Sequence, residues 1–320
     1  MARGHPVLPS SFVPDAPNGI VGAVTFQPPS GGPVLVDPAK EAALQRDGFV
    51  VVDVVPPEVA ASMRAEFGAL HGWERQQLID VQAPDFEIAM WDPDLGYRHA
   101  IDALVDAAAR PAVEAQFSRH RVIGRTMMVK WPAVPGTPAF DGVPDQHHND
   151  STYVDERTGA RSWEAWLALQ HIDESNGCVW VVPHSHRLPR TLRGWGVDAS
   201  YLSHAEVFRA REVPVVLGPG QAMVFDPALV HRSGPNRTEE ARVAVMILLA
   251  DPSEPLCIFR RRDEAHAERV ALPPGFFSDG RYEELGSEPA AEVVALDLPQ
   301  LSEAEAGQLL DELAAQAPLG

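Results

Sequence analysis

The chain has 320 residues and 45% of them are hydrophobic, enough to bury the core of one large domain or two small ones. With 45 Asp+Glu against 26 Lys+Arg the formal net charge is −19, which argues against nucleic acid as a partner and disfavours strongly anionic substrates. Two cysteines, Cys178 and Cys257, are too few for a disulfide framework, and neither a secretory leader nor an apolar run of about 18 residues occurs, so a cytoplasmic protein without a membrane partner is expected.

Residues 1–38, broken by Pro-Pro-Ser-Gly-Gly-Pro at 28–33, read as an irregular arm, and 39–320 as a single domain. A short helix over 39–46 leads into a β-rich run at 49–55. Pro56-Pro57-Glu58 then opens a second helix reaching about residue 70, with proline and an acid in its first turn. An Ala-rich stretch at 102–117 predicts a third helix. From Arg121 the texture changes to short apolar runs (122–131, 162–171, 178–182, 213–217, 222–225 and 242–249) separated by Gly, Pro, Asn and Asp. Helices first and short strands later predict a mostly β fold with supporting helices. Its core, at about 121–250, is expected to be a double-stranded β-helix of the jelly-roll, cupin-like kind. Residues 188–212 form a long insertion of the sort that covers sites, and 253–320 form a C-terminal extension. That extension ends in a helix over 302–315, where Ser302 and Glu305 have capping-box spacing.

The chemically unusual segment is Asp145-Gln146-His147-His148-Asn149-Asp150. In an extended chain, residues two apart point the same way, so His148 and Asp150 would present an imidazole and a carboxylate together. His231, at the end of another strand, would complete a set of two histidines and one carboxylate, the arrangement that binds Fe(II) with three adjacent positions open. Spacing alone leaves rivals: His147 with Asn149, and His184 with His186, share the i,i+2 pattern. Arg242 follows eleven residues after His231, across a turn-rich stretch. The strand it opens is expected to return antiparallel beside the one ending at His231, placing a planar guanidinium fork where it could clamp the distal carboxylate of a 2-oxoacid.

These residues resemble the phytanoyl-CoA dioxygenase family of Fe(II)/2-oxoglutarate enzymes. His148-Asn-Asp-Ser-Thr-Tyr-Val-Asp-Glu156 is similar to that family's iron-binding segment. Asp173-Glu-Ser-Asn-Gly-Cys178 and Val182-Pro-His-Ser-His-Arg187 are similar to its Asn-Gly-Cys and Pro-Gly-Ser-His signatures. Gly218 to Phe225, His231-Arg-Ser-Gly-Pro-Asn236 and Arg242 are similar to its distal half, and Gln45-Arg-Asp-Gly-Phe49 to its opening. The resemblance spans about residues 40–250. It implies that His148, Asp150 and His231 hold Fe(II), that Arg242 binds 2-oxoglutarate, and that Trp166 and Ser233 help hold that cosubstrate. Asn149 stands where the family usually has Gln, and Lys130 is a further candidate contact for the carboxylate. His184 replaces a glycine of the signature, and a structural role is expected for it and for His186.

With Fe(II), 2-oxoglutarate and O2, the implied reaction is hydroxylation of a C–H bond with release of succinate and CO2. Related halogenases lack the carboxylate ligand, so Asp150 favours hydroxylation, desaturation or ring formation. The expected substrate is a small molecule of natural-product or amino-acid-like character from secondary metabolism. Contacts to it are expected from 188–212 and from 86–98, where Trp91 and Tyr97 could line a pocket. The alternatives are a metal-dependent isomerase or lyase on the same scaffold, and a non-catalytic small-molecule-binding relative. Oligomeric state is not written in the sequence.

Overall fold

In the computed structural model, residues 25–27, 32–73, 86–133, 146–280, 285–286, 288–296, 298 and 300–316 are described. Asp145 and most of the expected arm lie outside them. Helix α1 (Pro38–Asp47) starts where the Asp37 carboxylate accepts from the amides of Ala39 and Lys40, and stops at Gly48 in the left-handed region, φ 86°. Strand β1 (Phe49–Asp53) and helix α2 (Pro57–His71) follow, close to the expected bounds. After β2 (Phe86–Ile88) come helices α3 (Leu95–Ala108) and α4 (Arg110–Glu114). The single helix expected at 102–117 is therefore two. It starts early because the Asp94 side chain caps Gly96 and Tyr97, and it breaks at Ala109 because Pro111 has no N–H to continue the ladder.

The strands that follow are β3 (Arg121–Lys130), β4 (Ser162–Ala168), β5 (Val179–Val181) and β6 (Gly194–Trp195). Short helix α5 (Ala205–Arg209) precedes β7 (Val213–Val215), β8 (Gln221–Phe225), β9 (His231–Ser233) and β10 (Arg242–Ala250). The C-terminal region adds β11 (Cys257–Arg261), β12 (His266–Ala271), α6 (Phe276–Asp279), β13 (Glu292–Ala295) and α7 (Glu303–Gln316). Helix α7 begins with the expected capping box: the Glu305 amide donates to Ser302 Oγ, and Glu305 Oε2 accepts from the Ser302 amide.

Six strands form an antiparallel sheet in the order β1-β8-β4-β10-β3-β2, and three form a second sheet, β7-β5-β9. The two share one core, in which Trp166, Ala168, Met223, Phe225 and Ala244 of the large sheet pack with Val179, Val181 and Val215 of the small one. The other face of the large sheet is covered by the helices: Trp163, Ala165, Leu167, Val243, Val245 and Ile247 join Phe67, Ile101 and Val105 there. Both faces are thus buried, which is why β10 reads as a nearly unbroken apolar run rather than an alternating one. The fold is mostly β with supporting helices.

One expectation fails here. Strand β10 does not return beside β9. It lies in the large sheet between β4 and β3, and β9 pairs with β5 in the small one. The turn-rich stretch crosses between sheets, pinned by Asn236, whose side-chain amide donates to the carbonyls of Lys130 (3.0 Å) and Glu240 (2.8 Å). The C-terminal strands build a third sheet, β13-β12-β11-β6, in which β6 of the 188–212 insertion runs parallel to β11. Cys178 and Cys257 are free, buried thiols in separate clusters. No helix among the described residues is long and apolar enough to cross a membrane.

The register of β1 on β8 depends on Gly220. Its φ is 87°, its carbonyl accepts from the amides of Val54 and Val55, and a Cβ there would lie 2.0 Å from the Val55 oxygen. Gly220→Ala is expected to destabilise the fold by about 2 kcal/mol or more in denaturant titration. A change below about 0.5 kcal/mol, the size of an ordinary surface substitution, would contradict this account.

Candidate metal centre

The structure brings His148, Asp150 and His231 together. His148 and His231 form an isolated antiparallel bridge, each amide donating to the other's carbonyl at 2.9 Å, so the two side chains leave the same face of a hydrogen-bonded pair. Their ring centroids are 4.4 Å apart. Asp150, two residues along, returns to that face, its amide held by the Pro227 carbonyl at 2.9 Å. Asp150 Oδ1 is 3.9 Å from His148 Nε2, and Oδ2 is 3.3 Å from His231 Nε2. One ligand atom from each residue lies within 4.8 Å of the others, a spacing suited to a single ion.

The tautomers also suit a metal. His148 Nδ1 donates to the Gln146 carbonyl (3.0 Å) and His231 Nδ1 to the Leu229 carbonyl (2.9 Å). A carbonyl can only accept, so each Nε2 keeps its lone pair towards the other two residues. Asp150 Oδ2 is buried without a hydrogen-bond partner among the described residues, a cost of about 1–3 kcal/mol that a cation would relieve. His231 is buried while the His148 side chain is 47% exposed, so the centre opens on the His148 side. Phe225 closes the inner side, its ring edge-on to His231 with the centroids 5.3 Å apart.

Several charged residues around this centre were not legible in the sequence. Glu164, buried on the inward face of β4, hydrogen-bonds the Asp150 carboxylate. Burial, reinforced by that neighbouring charge, pushes its carboxyl well above the usual range. Arg193 donates from Nε to the Asp150 carbonyl (3.1 Å) and bridges to Glu156 (2.8 Å), while Arg190 joins Glu156 to Asp226. On the opposite face, Glu212 accepts from His147 (2.7 Å) and from Arg232, the outward-facing neighbours of two centre residues. Burial pushes Glu212 up, but those hydrogen bonds outweigh it and hold the carboxyl below its ordinary value. Nothing local marks these residues, since every partner is distant in sequence.

Of the other expected site residues, Arg242 and Lys130 are fully buried cross-strand partners on the inward face of the large sheet. The Arg242 guanidinium stacks on Trp166, 4.8 Å from the ring centroid. Trp166 therefore faces inward, on the same face of the large sheet as Arg242. Ser233 lies opposite Val179, two residues from His231 and on the same face of β9. Asn149 points away: its amide donates to the Ala228 carbonyl and it also bonds Tyr201 of the insertion. Tyr97 packs with the helix-side core and Trp91 is 47% exposed, so neither is placed beside the triad. His184 and His186 accept structural duties, binding the Arg46 and Gln45 carbonyls at the end of α1. His184 sits at φ 69°, the left-handed conformation for which the signature's glycine is suited.

A model of the family described as "Phytanoyl-CoA dioxygenase (PhyH)" matches residues 44–244, more than half of the chain. The chain belongs to the phytanoyl-CoA dioxygenase family. Among curated relatives, the "Probable phytanoyl-CoA dioxygenase" of Caenorhabditis elegans is 35% identical over 104 residues, 31% of this chain and 33% of that protein. The peroxisomal phytanoyl-CoA dioxygenase of Bos taurus is 32% identical over 111 residues, covering 32% and 33%. The chain thus spans about a third of the length of these relatives in alignment. Among solved structures, the epimerase SnoN in complex with Fe3+, alpha ketoglutarate and nogalamycin RO superposes with a TM-score of 0.51 at 24% identity, over 70% of this chain and 88% of that one. That likeness extends to the fold. The phytanoyl-CoA dioxygenase match stops just past Arg242, so β11 to β13 and α7 lie outside it.

Burial also sets an acid limit. It pulls His231 and His120 down from 6.5 to about 4 and lowers His186 in the same sense. Between those values the unfolded chain holds protons that the folded chain refuses, so stability of the metal-free protein falls as pH drops from about 6.5 to about 4. Denaturation midpoints measured across that window should decline, and less steeply in His120→Gln. A flat profile would contradict the burial argument.

Proposed function

We propose that the chain is an Fe(II)/2-oxoglutarate-dependent dioxygenase that hydroxylates a C–H bond of a small molecule, with His148, Asp150 and His231 as the iron ligands. The observation that carries this reading is the convergence of two Nε2 lone pairs on a buried, unpartnered Asp150 oxygen. We read the two facing sheets as a jelly roll, with the centre at one end of the space between them. Bound iron with 2-oxoglutarate would supply O2 activation, releasing succinate and CO2.

The chain's own residues have distinct tasks in this reading. Gln146 and Leu229 carbonyls hold the ligand tautomers. Arg242 takes the far carboxylate of 2-oxoglutarate with its planar fork, backed by Trp166, and Lys130 and Ser233 flank the same space. Glu164 holds Asp150 by a hydrogen bond. Asp150 itself occupies the position a halide would need, which favours hydroxylation. The net charge of −19 disfavours a CoA thioester, so the proposed substrate is natural-product or amino-acid-like, met in the cytoplasm, with the 188–212 insertion over the site.

Anaerobic addition of Fe(II) and 2-oxoglutarate should give the weak visible charge-transfer band of the chelate. His148→Ala and Asp150→Ala should abolish it, and retention of the band in both would refute the ligand assignment. Arg242→Ala should weaken 2-oxoglutarate binding by about 2 kcal/mol, roughly 30-fold in Kd, because it strands a buried carboxylate. Unchanged affinity would remove Arg242 from the site.

A further inference from the structure

Behind the three candidate ligands lies a cluster of buried charge. Arg193, 2% exposed, donates from Nε to the Asp150 carbonyl at 3.1 Å and from its other arm to Glu156 Oε1 at 2.8 Å. Glu156 Oε2 accepts from Arg190 (3.1 Å), which also reaches Asp226 Oδ2 (2.9 Å). Asp226 Oδ1 in turn accepts from the Ala228 amide, ordering the loop whose Pro227 carbonyl accepts from the Asp150 amide. The Asp150 main chain is therefore gripped at both its N–H and its C=O, and Arg193 supplies the second grip.

Arg193 is aimed from an unexpected direction. It immediately precedes β6, a two-residue strand paired parallel with Phe259 and Arg260 of β11. The approach is close: a Cβ on Gly194 would lie 2.0 Å from the Phe259 carbonyl oxygen, so only glycine allows this docking. Strand β11 belongs to the C-terminal sheet, beyond the 44–244 match. A region outside the family match thus braces the strand that follows Arg193.

We propose that Arg193 is a positioning residue for Asp150, held in place by the docking of β6 on the C-terminal sheet. Its consequence for metal binding rests on the iron reading above. The planar fork matters because two separate nitrogens in fixed geometry serve one main-chain carbonyl and one carboxylate, whereas a lysine would have to serve both from a single nitrogen. Residues that orient a ligand from behind are worth about 10–100-fold in metal affinity, which sets the expected effect.

The test uses the full chain, wild type against Arg193→Lys and the charge-balanced double variant Arg193→Met/Glu156→Gln, with Arg209→Lys on the exposed face of α5 as control. In the metal-free proteins, amide exchange across 148–151 should accelerate about tenfold in both Arg193 variants, while amides of β10 keep their wild-type protection. Mn(II) affinity, read by its EPR signal, should fall about tenfold or more in the same variants and stay unchanged in the control. Gly194→Ala, which leaves Arg193 in the sequence but lifts β6 from Phe259, should move both readouts the same way. Wild-type exchange and affinity in the Arg193 variants would overturn the proposal, and so would a uniform acceleration that includes β10, which marks lost stability alone. If the wild type itself takes up no Mn(II), the metal reading fails and exchange at 148–151 still decides the role of Arg193.

Discussion

The centre depends on one pair of hydrogen bonds, those exchanged between the main chains of His148 and His231. In an antiparallel pair of this kind directly opposed residues project side by side, so two imidazoles from segments 83 positions apart in the chain must leave the same face. The alternation of an extended chain then returns Asp150 to that face. Everything else about the centre supports or uses this pairing. The carbonyls of Gln146 and Leu229 orient the rings, and Glu212 ties together the outward-facing neighbours His147 and Arg232 from behind.

Charge is the second constraint. Asp150, Glu156, Glu164 and Asp226 are carboxyls crowded into a region that also holds Arg190 and Arg193, in the interior of a chain that is acidic overall. Burying so many acids is tolerable because each is met differently. Glu156 and Asp226 share two guanidinium groups, and burial beside Asp150 pushes the Glu164 carboxyl well above its ordinary range, towards its neutral form. Asp150 keeps one oxygen without a hydrogen-bond partner among the described residues, which points to a cation as its complement. Two imidazoles and one carboxylate form a donor set suited to a divalent transition-metal ion.

Much of the fold was legible because its signals are local. Pro and Asp at helix starts, Gly at helix ends and apolar runs between turn residues are short-range chemistry, and α1, α2, β3, β4, β8 and β10 fall within a few residues of expectation. The errors share a cause. The helix expected at 102–117 was drawn through Pro111 on composition, and β10 was placed beside β9 because a short turn-rich link suggests a hairpin. The link instead carries Asn236, whose side chain bonds Lys130 and Glu240 and turns the chain from one sheet to the other. Short edge strands such as β2 and β6 carry too few residues to show a period at all.

The sequence by itself determined the residue types and the i,i+2 spacing of His148 and Asp150, the candidate third partner His231, and the planar cation Arg242, because these are fixed by identity and by the alternation of an extended chain. Tertiary structure alone decided that the side chains converge, that Arg242 lies against Trp166 on an inward face, that Asn149 turns away, and that Arg193 reaches the Asp150 carbonyl. Each of those facts joins residues far apart in the chain, and which segments meet is settled by which apolar faces can be buried together, a property of the whole chain and not of any segment.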